Sequence, residues 1–211
     1  MSFDLLAPHY RWMEALCAGG QLQRCRTALL GAIPAPRMVL IYGEGNGRFL
    51  VELCRRFPQA QVTVVEGSAV MIELAHARLK REGLAGARVE FIHADALKWQ
   101  PPVAAFDLLV TCFFLDCFRA DQLQQLVPAI ASAAAAGAHW LHADFQIAPT
   151  GLMRMCSRVI VKFLYVFFRC VTRLPAHELV DVAPCLSAAG FTRRQRREFI
   201  LGLLFCDLWR L

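Results

Sequence analysis

Lysine is nearly missing from this chain: only Lys80, Lys98 and Lys162 stand among 23 basic residues, so the formal charge of +6 rests on arginine. That balance favours anionic partners in general, phosphates, acidic lipids and nucleic acid among them, and fixes nothing about the fold. Cys-x-x-Cys pairs are absent as well. The nine cysteines, at 17, 25, 54, 112, 117, 156, 170, 185 and 206, make no metal-type spacing and no cluster with histidine. An odd number so scattered suits reduced thiols in a cytoplasmic protein, and no metal site is expected. No run of about eighteen apolar residues occurs, which argues against a membrane-spanning helix. The opening MSFDLLAPHYRWMEAL carries Asp4 and Glu14 and lacks the basic start and apolar core of a signal peptide, so none is expected. Internal repeats and low-complexity linkers are lacking too.

What is present is a large apolar fraction, 57% of 211 residues, enough for one domain with a substantial core. The centre of the pattern is Val39-Leu40-Ile41-Tyr42-Gly43-Glu44-Gly45-Asn46-Gly47, followed by a helix-like stretch from Arg48 to Phe57 that Pro58 ends. A buried strand turning into a helix presents free backbone N–H groups, and glycine lets a ligand approach them. Around this unit, helical spacing runs over 2–30 with a break at Gly19-Gly20. Further strands are predicted at 61–66, 88–93, 106–112 and 139–145. The helix at 69–82 is capped by Ser68 and stopped by Gly83, and a second spans 119–136 up to Gly137. Strands alternating with helices give an α/β fold with a parallel sheet and right-handed crossovers. A short helix from 185 to Gly190 precedes the extended segments 191–200 and 203–209. These two are expected to form an antiparallel hairpin at the sheet edge.

Four elements in this order resemble the class I S-adenosylmethionine-dependent methyltransferases, and the small-molecule and quinone-type enzymes among them. Ile41 to Gly47 matches the family's glycine loop. Val64-Val65-Glu66-Gly67-Ser68 matches the second strand, whose acid holds the ribose hydroxyls. Phe91-Ile92-His93-Ala94-Asp95-Ala96 matches the third element, whose acid and next backbone N–H address the adenine. Phe106 to Cys112 matches the fourth strand, and Phe3-Asp4 to Ala7-Pro8-His9-Tyr10 is similar to a cofactor-covering entry helix. The resemblance is close over 36–145 and looser beyond.

It implies a Rossmann-like doubly wound sheet of about seven strands, mostly parallel with an antiparallel C-terminal hairpin. An N-terminal helical cover and a cap helix after strand five complete it. One domain over 1–211 is expected, divided into cover (1–36), cofactor core (37–148), cap helix (149–180) and last helix with edge hairpin (181–211). The implied cofactor is S-adenosyl-L-methionine, bound by Tyr10, Gly43, Glu44, Gly45, Glu66, Gly67, Ser68, Asp95, Ala96 and Cys112. In one place the pattern departs from the family: its usual first acid falls at Ile41, and Glu44, the nearest acid, is the expected partner of the methionine ammonium. That departure leaves a catalytically silent cofactor-binding module open. The residues agree with the resemblance. Ligands of such sheets bind outside the carboxyl ends of strands, where a carboxylate at Glu66 suits a diol and an acceptor at Asp95 suits an adenine amino group. A dinucleotide fingerprint would need glycine where Arg48 stands.

On the acceptor side, Asp116 either faces the pocket or caps the helix that begins near Arg119. Asp144 either faces the same pocket or ends its strand. Both are the candidate catalytic acids, for a reaction that needs the acceptor positioned and, where required, deprotonated. His142 reads as a core histidine, and Phe113, Phe114 and Phe145 as apolar walls. In 152–174, Arg154, Arg158, Lys162, Arg169 and Arg173 fall within an arc of roughly 100°. Met155, Ile160, Phe163, Leu164, Phe167, Phe168 and Val171 occupy the rest. The helix is expected to cap the core with its basic stripe in water. The alternative is contact with an anionic membrane, at the inner face of which the protein would then sit. Arg193, Arg194, Arg196 and Arg197 are expected to blunt a sheet edge. Nucleic acid is disfavoured, since no Asn-Pro-Pro-Tyr-like sequence follows strand four, and a small-molecule acceptor is expected.

Overall fold

The computed structural model describes residues 20–172, 176 and 178–211. The first nineteen residues, with Tyr10 and most of the predicted helical cover, lie outside the described residues. In chain order the elements are α1 (Gln21–Thr27), β1 (Met38–Tyr42), α2 (Arg48–Arg56), β2 (Gln61–Glu66), α3 (Ala69–Arg81), β3 (Val89–His93), β4 (Phe106–Cys112), α4 (Ala120–Ser132), β5 (Ala134–Phe145), α5 (Gly151–Thr172), α6 (Ala183–Ala188), β6 (Thr192–Phe199) and β7 (Leu204–Arg210).

Alternate residues of a strand point to opposite faces, and β1 shows how this builds the layers. Val39 and Ile41 join the core on one face, with Phe49, Leu50 and Leu53 of α2. Leu40 and Tyr42 join the core on the other, with Leu123, Leu126 and Val127 of α4. The seven strands run in the order β3-β2-β1-β4-β5-β7-β6. Strands β1 to β5 are parallel, and β7 lies antiparallel between β5 and the edge strand β6. This is the doubly wound, mostly parallel sheet with an antiparallel C-terminal hairpin that the sequence implies. Ser68 caps α3 as expected, its Oγ accepting from the Met71 N–H at 3.2 Å. Strand β6 carries the basic cluster on the sheet edge. Its Arg196 makes a two-pronged ion pair with buried Asp207, both contacts at 2.7 Å.

Two expectations are corrected. The helix predicted over 119–136 ends at Ser132, and β5 begins at Ala134 rather than 139. The alanine run has high helix propensity, but the carbonyl of Ala133 is taken by the N–H groups of Ala105 and Phe106, each at 2.9 Å. Sheet pairing overrides propensity here, and Gly137, at φ 75°, sits inside the strand instead of closing a helix. The second correction concerns α5. It docks through Ser157, Val161 and Tyr165, which are buried, while Met155 and Phe163 on its predicted apolar face are exposed. The Ser157 hydroxyl anchors it by accepting from the Ala148 N–H at 3.1 Å. Among the described residues no helix is long and apolar enough to cross a membrane.

Candidate active site

Strand order reverses between β1 and β4, so a crevice opens at the carboxyl ends of the central strands. A cavity of about 590 Å³ lies there. Its walls include Gly43 and Gly45 after β1, Glu66 and Gly67 at the end of β2, Asp95 and Ala96 after β3, and Phe113 and Phe114 after β4. The loop glycines differ in what they permit. At Gly45, φ 67°, a Cβ would meet nothing within 4 Å, so the backbone is open to a ligand. At Gly47, φ 82°, a Cβ would lie 2.9 Å from the Cα of Ala75, so this glycine lets the loop pack on α3. At Gly43 a Cβ would overlap the ring of Phe114.

Glu66 ties these parts together. Its Oε2 accepts from the Gly45 N–H and its Oε1 from the Ser68 N–H, both at 3.0 Å. Burial pushes its pKa up, and the N–H groups of Gly45, Ser68 and Gly67 pull it back. A carboxylate offers about four lone-pair sites, so acceptor capacity remains for a diol in the cavity. Asp95 lines the cavity and is exposed, its Oδ1 capping the following turn through the Leu97 N–H at 3.0 Å. Ser68 is buried as a helix cap and does not line the cavity.

Glu44, assigned above to a ligand ammonium, is placed elsewhere. Its Oε1 accepts from the Leu50 N–H at 2.9 Å beneath the loop, which braces the start of α2. Burial raises its pKa to about 7, against the helix N–H groups and the charge of Arg26. It is not among the cavity-lining residues. Cys112 is also outside the lining, and burial drives its thiol well above the ordinary cysteine range. Ile41, at the position of the family's first acid, is a core residue.

The two candidate acids meet through the Asp116 backbone, and neither is among the cavity-lining residues. The Asp116 N–H donates to Asp144 Oδ2 at 3.2 Å, and the Phe145 N–H donates to Asp144 Oδ1 at 2.8 Å. Burial raises both carboxyls, and the charge of Asp116 raises Asp144 further. Asp116 does not cap α4: there the Arg119 N–H donates to Gln122 Oε1 at 3.0 Å. Cys117, the next residue, lines the cavity. The Tyr165 hydroxyl of α5 donates to the Asp116 carbonyl at 2.8 Å. His142 is a core residue: its Nδ1 lies 3.2 Å from both the hydroxyl and the carbonyl oxygen of Thr111, and burial lowers its pKa to about 4.

Phe113 explains how two consecutive phenylalanines reach one cavity. Along an extended strand they would point to opposite faces, but Phe113 has φ 53°, a left-handed conformation rare for a bulky residue. Its N–H is fixed to the Ala143 carbonyl at 2.7 Å. Such local strain re-aims the chain. Arg26, His93 and Gln122 also stand at or beside the cavity, without a sequence pattern that marks them. Arg26, on α1, is buried with its guanidinium 5.3 Å from the Phe113 ring centre. An isolated arginine in a helical preamble carries no signal of such burial. His93 and Gln122 line the cavity, the former with Nε2 3.2 Å from the Gly67 carbonyl.

A family model described as a methyltransferase domain matches residues 39–137. A trans-aconitate 2-methyltransferase of Acidovorax ebreus is 38% identical over 97 residues, 44% of this chain and 35% of that protein. A demethylmenaquinone methyltransferase of Thermus thermophilus is 27% identical over 209 residues, 91% of this chain and 92% of that one. The chain thus spans about a third of the first relative and nearly the whole of the second. Among solved structures, an O-methyltransferase family 2 protein from Planctomyces limnophilus in complex with apigenin gives a TM-score of 0.73 at 15% identity, covering 99% of this chain and 62% of that one. A methyltransferase dependent on S-adenosylmethionine from Mesorhizobium loti gives 0.66 at 17%, covering 90% and 100%.

Proposed function

We propose that the chain is a class I S-adenosylmethionine-dependent methyltransferase that methylates a small, apolar acceptor, a reading supported by the methyltransferase-domain match over residues 39–137 and by the likeness to a demethylmenaquinone methyltransferase along nearly its whole length. The observation that carries this reading is Glu66, a buried carboxylate at the end of β2 with acceptor capacity left over, facing an open glycine backbone at Gly45. These residues fit a ribose diol and the aminoacyl chain joined to it. When bound, the cofactor supplies an electrophilic methyl group on a sulfonium. Asp95 and the Ala96 N–H are the proposed adenine contacts, and Tyr10, outside the described residues, is a proposed cover.

Phe113, Phe114 and Phe118 supply an apolar wall for the acceptor. Among the described lining residues no Arg or Lys is present to meet several carboxylates, which favours an apolar acceptor over a trans-aconitate-like one. Asp116, between the lining residues Phe114 and Cys117, is the proposed proton acceptor: its carboxylate takes up the proton that the acceptor atom loses on methylation, while loss of the methyl group leaves a neutral thioether in place of the sulfonium. Both oxygens of Asp144 are held by backbone N–H groups, so Asp144 is a positioning residue that fixes the turn carrying Asp116. The described cysteines are free thiols, which supports a reducing, cytoplasmic setting.

The test is calorimetry with S-adenosylhomocysteine together with transfer of a labelled methyl group to a panel of phenols, quinols and carboxylic acids. Binding and labelling of an apolar member are expected. Absence of binding at high micromolar ligand refutes the reading; binding without turnover across the panel leaves a silent cofactor-binding module. Asp116→Asn is expected to lower turnover about a hundredfold, the lower end of the range for one general base, without changing affinity for S-adenosylhomocysteine.

A further inference from the structure

Helix α5 has three faces with different chemistry. At about 100° per residue, Ser157, Val161 and Tyr165 form the docked face. Directly opposite, Leu152, Met155, Val159, Phe163 and Val166 form a stripe of purely apolar side chains, each between 53% and 75% exposed. Between the two, along one flank, run the exposed cations Arg158, Lys162 and Arg169, with Arg154 at the docked edge. Not one Asp or Glu occurs from 151 to 172. A contiguous exposed apolar stripe of this kind marks a binding surface rather than scattered exposure.

We infer that this face docks the protein on an anionic lipid bilayer, with the apolar stripe in the headgroup–acyl boundary and the basic flank against lipid phosphates. A surface helix of strong amphipathicity with cations beside its apolar face has this mode of binding. Charge separates a bilayer from a second copy of the chain. A two-fold contact through this stripe would bring two basic rows together, with no acid on either helix to pair with them. The docked side of the same helix holds the turn beside the proposed acceptor site, through Tyr165 on the Asp116 carbonyl. Docking therefore places the lipid on the far side of a helix that holds the turn carrying Cys117 and Phe118 of the cavity wall, an arrangement suited to a lipid-soluble acceptor. The docking stands independently of methyl transfer; the lipid-soluble acceptor rests on the proposed function above.

The experiment is flotation of the full chain with vesicles of phosphatidylcholine alone and of phosphatidylcholine with one quarter phosphatidylglycerol. Binding to the mixed vesicles, much weaker binding to the neutral ones and release by salt are expected. Each cation near an anionic surface contributes enough for the triple change Arg158→Gln, Lys162→Gln, Arg169→Gln to weaken partition about a hundredfold. Phe163→Asp, at a fully outward position, is expected to abolish flotation while the Tm and the affinity for S-adenosylhomocysteine hold. Equal binding to both vesicles, or to neither, overturns the inference. So does a concentration-dependent dimer, free of vesicles, that Phe163→Asp dissociates. Flotation retained in a protein that binds no S-adenosylhomocysteine refutes the methyltransferase reading alone and leaves the docking in place.

Discussion

Replacing Glu66 with Gln separates its two duties. In the free protein its carboxylate satisfies two donors, the half-buried N–H of Gly45 and the buried N–H of Ser68, each at 3.0 Å. Glutamine keeps one carbonyl oxygen and sets an NH₂ against the other donor. One of the two N–H groups then goes unsatisfied, at about 1–3 kcal/mol of stability. A ribose diol loses one charged acceptor, worth about 1.5–3 kcal/mol, which is roughly ten- to a hundredfold in the dissociation constant of S-adenosylhomocysteine. Glu66→Ala removes both acceptors and is expected to lose more on each count. Calorimetric titration at pH 7.5, paired with thermal denaturation without ligand, reads the two effects separately. A lowered Tm with affinity within twofold of the parent refutes the ribose role and leaves Glu66 as a brace of the loop.

Further expectations follow from neighbouring residues. Gly47→Ala combines a left-handed backbone with a Cβ 2.9 Å from the Ala75 Cα; it is expected to cost about 2–5 kcal/mol, read as a lower urea midpoint. Burial pushes the Glu44 carboxyl up to about 7, from the 4.5 of an exposed glutamate. Its raised value means that stability is full below the unfolded pKa and is lost as pH rises through 7, by about 3 kcal/mol. Glu44→Gln, whose carbonyl still accepts from the Leu50 N–H, is expected to flatten the Tm between pH 5 and 8, and an unchanged slope refutes the assignment. Asp207→Ala strips Arg196 of its two-pronged partner. The expected loss of about 2–3 kcal/mol lies below the ~3–5 of a fully buried pair, because Arg196 keeps 31% exposure; equilibrium unfolding measures it.

The parts legible in the sequence are those whose cause is local. The first strand is buried on both faces and reads as a continuous apolar run, and the glycines after it are required by positive φ. Glu66 and Asp95 follow their strands directly, so strand placement alone brings them to the cavity. What was not legible depends on tertiary direction. Glu44 is a loop acid next to the site in sequence, yet its carboxylate turns inward to the N–H of Leu50 because that helix start needs an acceptor. The alanine run after Ser132 has helical propensity, and only the free edge of β4 made it a strand. In α5, apolar residues surround most of the helix, so spacing could not tell the docked stripe from the exposed one. Burial of Arg26 had no local signature at all.

The segment from Phe113 to Phe118 joins the three parts of the protein that sequence reading treated apart. Its strained first residue turns Phe113 and Phe114 into one cavity, and the Phe114 ring occupies the space that the missing side chain of Gly43 leaves. Two positions later the Asp116 N–H rests on Asp144, and its carbonyl is held by Tyr165 of α5. The glycine loop, the acid pair and the surface helix therefore all contact one short turn. A shift of α5 acts on the Asp116 carbonyl, and the same peptide chain carries it to Cys117 and Phe118 in the cavity wall. This explains why the glycine at 43 is required for packing, whereas that at 45 faces open space: a Cβ at Gly43 would overlap Phe114 of this turn, and one at Gly45 would meet nothing within 4 Å. It also gives the absent acid at position 41 a physical reading. With Ile41 in the core, the loop is braced from below by Glu44 and from the side by Glu66, so its shape does not require a carboxylate at the strand's end.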